Sequence, residues 1–313
     1  TRAGGAPMIL CLCPPGGKHL PESAIDFTTL ENQLIARVQK FPNVAVIGSA
    51  EILARYPAAE FHDPHANELG HVPYTPAGFA AIGTSVFRKF TGLRKLPHKV
   101  IVLDCDNTLW RGVCGEEGPL GVTVTPAHRA LQEFMLRQMN AGRLLCLGSK
   151  NSEEDVWAVF AQNPGMVLKR EQLAAWRINW SSKSENLRSL ARELNLGLES
   201  FIFLDDNPVE CAEVRAQCPE VLTLQLPADS ERLEQFLDHA WVFDLARVTE
   251  EDRTRTQKVL ENVQREKYRG QVSTLKDFIN GLQLRVDIFV PERDQFSRVS
   301  QLPLRTNQFN FTT

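Results

Sequence analysis

The chain has 313 residues, 43% of them hydrophobic and 23% charged, with a formal net charge of -3. That length suits about two domains, and the composition is that of an ordinary globular protein, which sets disorder aside. No apolar run approaches the roughly 20 residues needed to span a bilayer, and no basic footprint for nucleic acid is present, so neither a membrane nor a nucleic acid is expected as a partner.

Seven cysteines occur, Cys11, Cys13, Cys105, Cys114, Cys146, Cys211 and Cys218. Their number is odd and their spacings match no zinc pattern, which fits a reducing, cytoplasmic setting. The start, Thr1-Arg-Ala-Gly-Gly-Ala-Pro7, lacks Met and an apolar leader, and reads as a piece of a longer chain.

Residues 1–92 read as an N-terminal α/β segment. Met8 to Cys13 forms a strand ended by Pro14-Pro15-Gly16-Gly17, and Val44 to Ile47 forms a second. Helices are expected over Thr28 to Lys40, Ile52 to Tyr56 and Pro76 to Lys89, the last with Phe79, Ile82, Val86 and Phe87 inward. The loop Asp63 to Tyr74 contains Asp63, His65 and His71 and resembles the end of an SGNH hydrolase. No Gly-Asp-Ser block precedes it, and a base without a nucleophile is inert, so a structural remnant or docking surface is the reading. Gly92 to His98 is expected to be a linker.

The catalytic core is expected over residues 97–226. Val100 to Leu103 is a buried strand, followed at once by Asp104-Cys105-Asp106-Asn107-Thr108. Trp110 to Val122, with its closely spaced glycines, suggests a hairpin. A helix then starts at Thr125-Pro126 and stops at Gly142. The strand Arg143 to Gly148 ends in Ser149-Lys150-Asn151, and Ser152 caps the next helix. Met166 to Leu168 reads as a short strand. Trp180-Ser-Ser-Lys183 opens a helix with Leu187, Leu190, Ala191 and Leu194 on one face and Gly197 at its end. The strand Phe201 to Leu204 ends in Asp205-Asp206-Asn207-Pro208, and a helix from Val209 to Gln217 and a strand Val221 to Leu224 follow.

Strands alternating with helices make a doubly wound parallel sheet, an α/β fold of Rossmann type. Three strand ends carry Asp104 and Asp106, then Ser149, then Asp205, and Lys183 opens the intervening helix. The carboxyl edge of such a sheet is where ligands bind. Each residue type suits phosphoryl chemistry: a carboxylate nucleophile, carboxylates for a divalent cation, and a hydroxyl and an ammonium for phosphate oxygens. Taken singly, Asp104 and Asp106 could be a polar strand exit, Ser149 a turn former and Lys183 a solvated helix residue.

In order, Asp104-Cys-Asp106-Asn-Thr108, Ser149, Lys183 and Asp205-Asp206 resemble the four motifs of the haloacid dehalogenase superfamily. More closely, the chain resembles the FkbH-like family, which loads glyceryl units onto acyl carrier proteins in polyketide biosynthesis. The stretches that carry this are Leu103 to Gly118, Gly148 to Asn151, Lys183 to Leu187, Phe203 to Val209 and Arg305 to Asn310. The resemblance implies 1,3-bisphosphoglycerate as substrate, an acyl carrier protein with its phosphopantetheine thiol as partner, Mg²⁺ as cofactor, and a place in a larger synthase chain. It implies Asp104 as the carboxylate that handles phosphate and Asp106 as acid/base. The Mg²⁺ ligands would be Asp104, the main chain of Asp106, and Asp205 supported by Asp206. Thr108, Ser149, Lys150, Asn151 and Lys183 would bind phosphate. Cys114 would carry the acyl group as a thioester; its other reading is a small residue in a Gly-rich turn. A thiolate is the competent form, and a nearby cation would lower its pKa.

No large cap separates the first two strands of the core, which leaves the site open to a thiol arm. Residues 227–313 read as an α+β extension, with a charged helix from Thr249 to Tyr268 that is either a solvated face or a carrier contact. Two other readings of the whole chain stand beside acyl transfer: an Mg²⁺-dependent phosphatase without it, and a non-catalytic docking domain.

Overall fold

The computed structural model describes residues 7–15, 27–41, 43–94, 98–244 and 261. The chain divides into two compact units, Thr1–Val263 and Gln264–Thr313, and every described residue belongs to the first. The expected charged helix from Thr249 to Tyr268 and the Arg305 to Asn310 stretch lie outside the described residues apart from Glu261.

The N-terminal strands β1 (Met8–Cys11) and β2 (Val44–Ile47) pair in parallel as a two-stranded sheet. The main sheet holds β3 (Val100–Leu103), β4 (Leu144–Ser149), β5 (Leu173–Ile178), β6 (Phe201–Asp205) and β7 (Leu222–Gln225), in the order β5-β4-β3-β6-β7. Every pairing in it is parallel. The doubly wound α/β fold expected from the sequence is the fold observed.

The continuous apolar run of β3 follows from its central place, since a strand covered on both faces has no polar side. All four of its residues are fully buried. Alternate side chains serve opposite faces. Ile101 and Leu103 join Leu145, Leu147, Ile202 and Leu204 in one cluster, covered by Leu131 and Met135 of helix Pro126–Asn140 and by Val156 and Val159 of helix Glu153–Gln162. Val100 and Val102 join Cys146, Phe201 and Phe203 in the other, covered by Leu187, Leu190 and Leu194 of helix Lys183–Leu194 and by Val214 of helix Pro208–Gln217. With all strands parallel, the loops that follow β3, β4, β5 and β6 leave from one edge.

Between β3 and β4 lie only the helical turn Cys114–Glu117 and helix Pro126–Asn140, so no large cap is inserted there. Thr125 caps the latter helix and Pro126 occupies its first turn. Among the described residues no helix is long and apolar enough to cross a membrane.

Several local expectations are corrected. Met166 to Leu168 is not a strand. The strand is Leu173–Ile178, whose Leu-Ala-Ala-Trp-Arg-Ile sequence has weak strand propensity and takes its form from pairing with β4. Asn195, left-handed at φ 52°, caps helix Lys183–Leu194 two residues before Gly197. Ser152 precedes helix Glu153–Gln162 without a side-chain cap bond. The loop after Asp63 contains a helix, Pro64–Gly70, and Asp63 accepts a hydrogen bond from the Ala66 N–H at its start. Helix Pro76–Arg94 runs into the expected linker. It buries Gly78, Ala81, Ser85 and Arg88 while Phe79 and Phe87 stay exposed. Small residues face inward here because the packing is close: a Cβ on Gly78 would lie 2.5 Å from the Phe61 carbonyl oxygen.

Phe201 is fully buried on β6, away from the strand ends that carry acids. Phe201→Ala should lower the unfolding free energy by about 3–5 kcal/mol, measured by urea denaturation. A loss under about 1 kcal/mol would contradict the packing described.

Candidate active site

Asp104 follows β3 and Asp205 ends β6, the neighbouring strand, so register alone sets the two carboxylates side by side. Lys183, in the first turn of its helix, reaches between them. Its ammonium donates to Asp104 Oδ1 at 2.5 Å and to the Gly148 carbonyl at 2.8 Å, and lies 3.0 Å from Asp205 Oδ2. Ser182 caps this helix, which fixes where Lys183 begins its reach.

Asp206 completes a group of three acids. One carboxylate oxygen each from Asp104, Asp205 and Asp206 lies within 4.8 Å of the others. Asp205 is 1% exposed, and its Oδ2 has no hydrogen-bond partner despite the nearby ammonium. Three carboxylates around one buried oxygen, with a single lysine beside them, are under-neutralised. A hard divalent cation fits that donor set, because such ions take carboxylate oxygens and supply the missing charge.

The titration behaviour follows the same geometry. Burial first, then the Asp104 charge, push Asp205 up to about 6 from an ordinary 3.8. Burial and Asp104 also raise Asp206. Burial works to lower Lys183, but Asp104 and then Asp205 outweigh it and hold the ammonium above the usual lysine value.

Asp106 stands apart from the three-acid group. Its Oδ1 accepts the Trp110 indole N–H at 2.9 Å and the Cys114 backbone N–H at 3.1 Å, and its Oδ2 accepts from Asn151 Nδ2 at 2.9 Å. Left-handed Asn107, at φ 55°, turns the chain between the two acids. Thr108 is fully buried with its hydroxyl 3.4 Å from Asp206. Asn151 also contacts Ser149 Oγ at 3.3 Å, and Ser149 is buried. Lys150 instead pairs with Glu210, at the start of the helix after β6, at 2.9 Å.

Cys114 does not lie in an open polar loop. It opens the turn Cys114–Glu117, is 2% exposed, and its thiol lies 3.6 Å from Asn151 Oδ1. Arg111 pairs with Thr123 across the base of the expected hairpin, and Gly112 (φ 103°) and Gly118 (φ 75°) take the left-handed conformations that shape it. Burial, then the Asp106 charge, push the thiol up to about 12. Without a metal ion, the charged group that acts most on this thiol is the Asp106 carboxylate. Cys105 is fully buried.

Sequence reasoning missed Trp110 as the residue that holds Asp106, and Glu210 as the partner of Lys150. The spacing Asp106-x-x-x-Trp110 was the available signal for the first. The second pairing crosses from the turn after β4 to the helix after β6 and has no local signature.

No protein-family model matches the chain, and the search of curated proteins found no match. Among solved structures, the chain is similar to the crystal structure of the N-terminal part of the protein BF1531 from Bacteroides fragilis, described as containing a phosphatase domain complexed with Mg. Identity is 27% and the TM-score 0.66, over 77% of this chain and 68% of that one. A second match, a HAD family enzyme from Bacteroides thetaiotaomicron, has 12% identity over 43% of this chain and 96% of that one. Its TM-score of 0.34 establishes no shared fold.

A raised acid pKa in the folded state opposes folding once the group must ionise. For metal-free protein, the Asp205 contribution therefore lowers stability as pH rises from about 4 to about 6 and is complete above that. Asp205→Asn should remove this part of the slope, read by denaturation at stepped pH. An unchanged slope would show that Asp205 ionises as freely as in the unfolded chain.

Proposed function

We propose, from the parallel α/β core and its similarity to a solved phosphatase domain, that the chain is a haloacid dehalogenase-type, Mg²⁺-dependent enzyme that handles phosphate esters or acyl phosphates, with phosphatase activity. The observation that carries this reading is the under-neutralised group of Asp104, Asp205 and Asp206 beside Lys183. The Mg described with the Bacteroides fragilis phosphatase domain supports the choice of metal.

In this reading Asp104, Asp205 and Asp206 would hold Mg²⁺, with the Asp106 main chain as a further donor, and the ion, when bound, would supply charge that offsets a phosphate next to three carboxylates. Asp104 attacks phosphorus as the bond to the leaving oxygen breaks, giving an aspartyl-phosphate that water hydrolyses. Lys183 neutralises phosphoryl oxygens, and Ser149, Thr108 and Asn151 complete the phosphate contacts, while Lys150 is taken up by its ion pair with Glu210. Asp106, held in place by Trp110 and Asn151, carries the proton to and from the leaving oxygen.

The finer reading is loading of a glyceryl group from 1,3-bisphosphoglycerate onto an acyl carrier protein. The Cys114 sulfur bonds to the acyl carbon as the bond from that carbon to phosphate oxygen breaks and inorganic phosphate leaves; water hydrolyses the remaining 3-phosphate ester at Asp104; and the glyceryl thioester then passes to the carrier's phosphopantetheine thiol, which returns Cys114 to its thiol. Support comes from the FkbH-like resemblance, from the lack of a large cap, and from the Cys114 N–H bond to Asp106. The thiol is buried and neutral as it stands, so the step needs the turn Cys114–Glu117 to open and a base to take the proton.

Asp104→Asn should lower Mg²⁺-dependent phosphate release by at least about a thousandfold, with chelation of Mg²⁺ doing the same to the unaltered protein. Activity surviving both would sink the phosphatase reading. Intact-protein mass spectrometry after incubation with 1,3-bisphosphoglycerate and Mg²⁺ should show a glyceryl adduct mapping to Cys114. Cys114→Ala should abolish the adduct and keep phosphate release. Phosphate released by the unaltered protein with no adduct leaves a phosphatase without acyl transfer.

A further inference from the structure

Trp180 is 76% exposed and Val209 is 70% exposed, although the strands they follow are mostly buried, with only Trp176 and Arg177 of β5 partly open. A solvated tryptophan at a strand end exposes a large apolar area and makes no use of it in the fold. Both positions are fixed relative to the acids by bonds of the site. Asn179, next to Trp180, donates its N–H to the Ser149 carbonyl at 3.1 Å, which pins this loop to the end of β4. Three residues after Trp180, Lys183 reaches Asp104. On the other side, Asn207 donates its N–H to Asp205 Oδ1 at 2.8 Å and accepts from the Val209 N–H at 2.9 Å, so Val209 is two short steps from the acid group.

The two residues also share one side of the sheet. Helices Lys183–Leu194 and Pro208–Gln217 pack on the same face, and the Ser184 N–H, at the start of the first, bonds Glu213 Oε2, in the middle of the second, at 3.2 Å. The Lys150–Glu210 ion pair joins the turn after β4, to which Asn179 is pinned, to the helix start that carries Val209.

We propose that Trp180 and Val209 form an apolar wall that binds the uncharged organic part of the phosphate-bearing substrate and sets a preference for flat or apolar groups over small polar ones, which favours the phosphatase reading over glyceryl transfer from 1,3-bisphosphoglycerate. The proposal rests on the phosphate-site reading, and it separates from the chemistry because it concerns binding of the organic part alone.

Two non-hydrolysable or product-like probes, phenylphosphonate and inorganic phosphate, can be titrated calorimetrically into the Mg²⁺-loaded full chain. The unaltered protein should bind phenylphosphonate more tightly. Trp180→Ala should weaken phenylphosphonate by about tenfold, at least five times more than it weakens phosphate, and Trp180→Phe should retain most of the preference. Val209→Ser should shift the ratio in the same direction by a smaller factor. Hydrolysis of 4-nitrophenyl phosphate by Trp180→Ala should show the loss in KM rather than kcat. Equal weakening of both probes, or none, overturns the proposal. A Trp180-dependent preference in a protein that hydrolyses nothing upholds the wall and overturns the phosphatase reading instead. Failure of both probes to bind overturns both.

Discussion

The buried ammonium of Lys183 is the constraint on which the site depends. Asp104 and Asp205 are brought together by the pairing of β3 and β6, whose apolar residues the core requires, and two such carboxylates repel each other in a dry environment. Lys183 answers part of that charge, with the Gly148 carbonyl taking another of its protons. The remaining excess of negative charge, including Asp206, is the reason the group suits a divalent cation and then a phosphate. Removing either partner of such a buried pair leaves an uncompensated charge, so the lysine serves stability and chemistry together.

A second network lies beside the first and has a different character. Asp106 is surrounded by donors from Trp110, the Cys114 backbone and Asn151, which orient it and keep its carboxylate away from the three-acid group. The same network buries the Cys114 thiol. One acid is thus held by three donors, and two residues earlier another pairs with Lys183 in the three-acid group. The separation comes from the left-handed turn at Asn107, which a short polar side chain tolerates.

The N-terminal segment is joined to the described end of the core at a distance from these groups. Arg88 of helix Pro76–Arg94 forms a two-pronged ion pair with Asp244, the longer contact at 2.7 Å, and is 4% exposed. Tyr56 packs against His239, and Phe87 against Trp241. In the core, Arg143 binds the Val242 carbonyl at 2.7 Å and lies over the Phe243 ring. Residues 239 to 244 therefore touch the core on one side and the N-terminal helices on the other.

The sequence by itself determined the parallel sheet and the acids at its edge, because buried strands written Val-Ile-Val-Leu and Phe-Ile-Phe-Leu have no other use and the polar residues after them are adjacent in the chain. It also determined Lys183 at a helix start. It did not reveal β5, whose alanines and arginine become a strand only through pairing with β4. It placed Phe79 and Phe87 inward, whereas close helix packing selected Gly78 and Ala81. Only the tertiary structure decided that Asp206 rather than the Asp106 carboxylate joins Asp104 and Asp205, and that Cys114 is buried against Asn151. These outcomes depend on how separate loops meet at one sheet edge, and a side chain's neighbours across such a meeting leave no trace in local spacing.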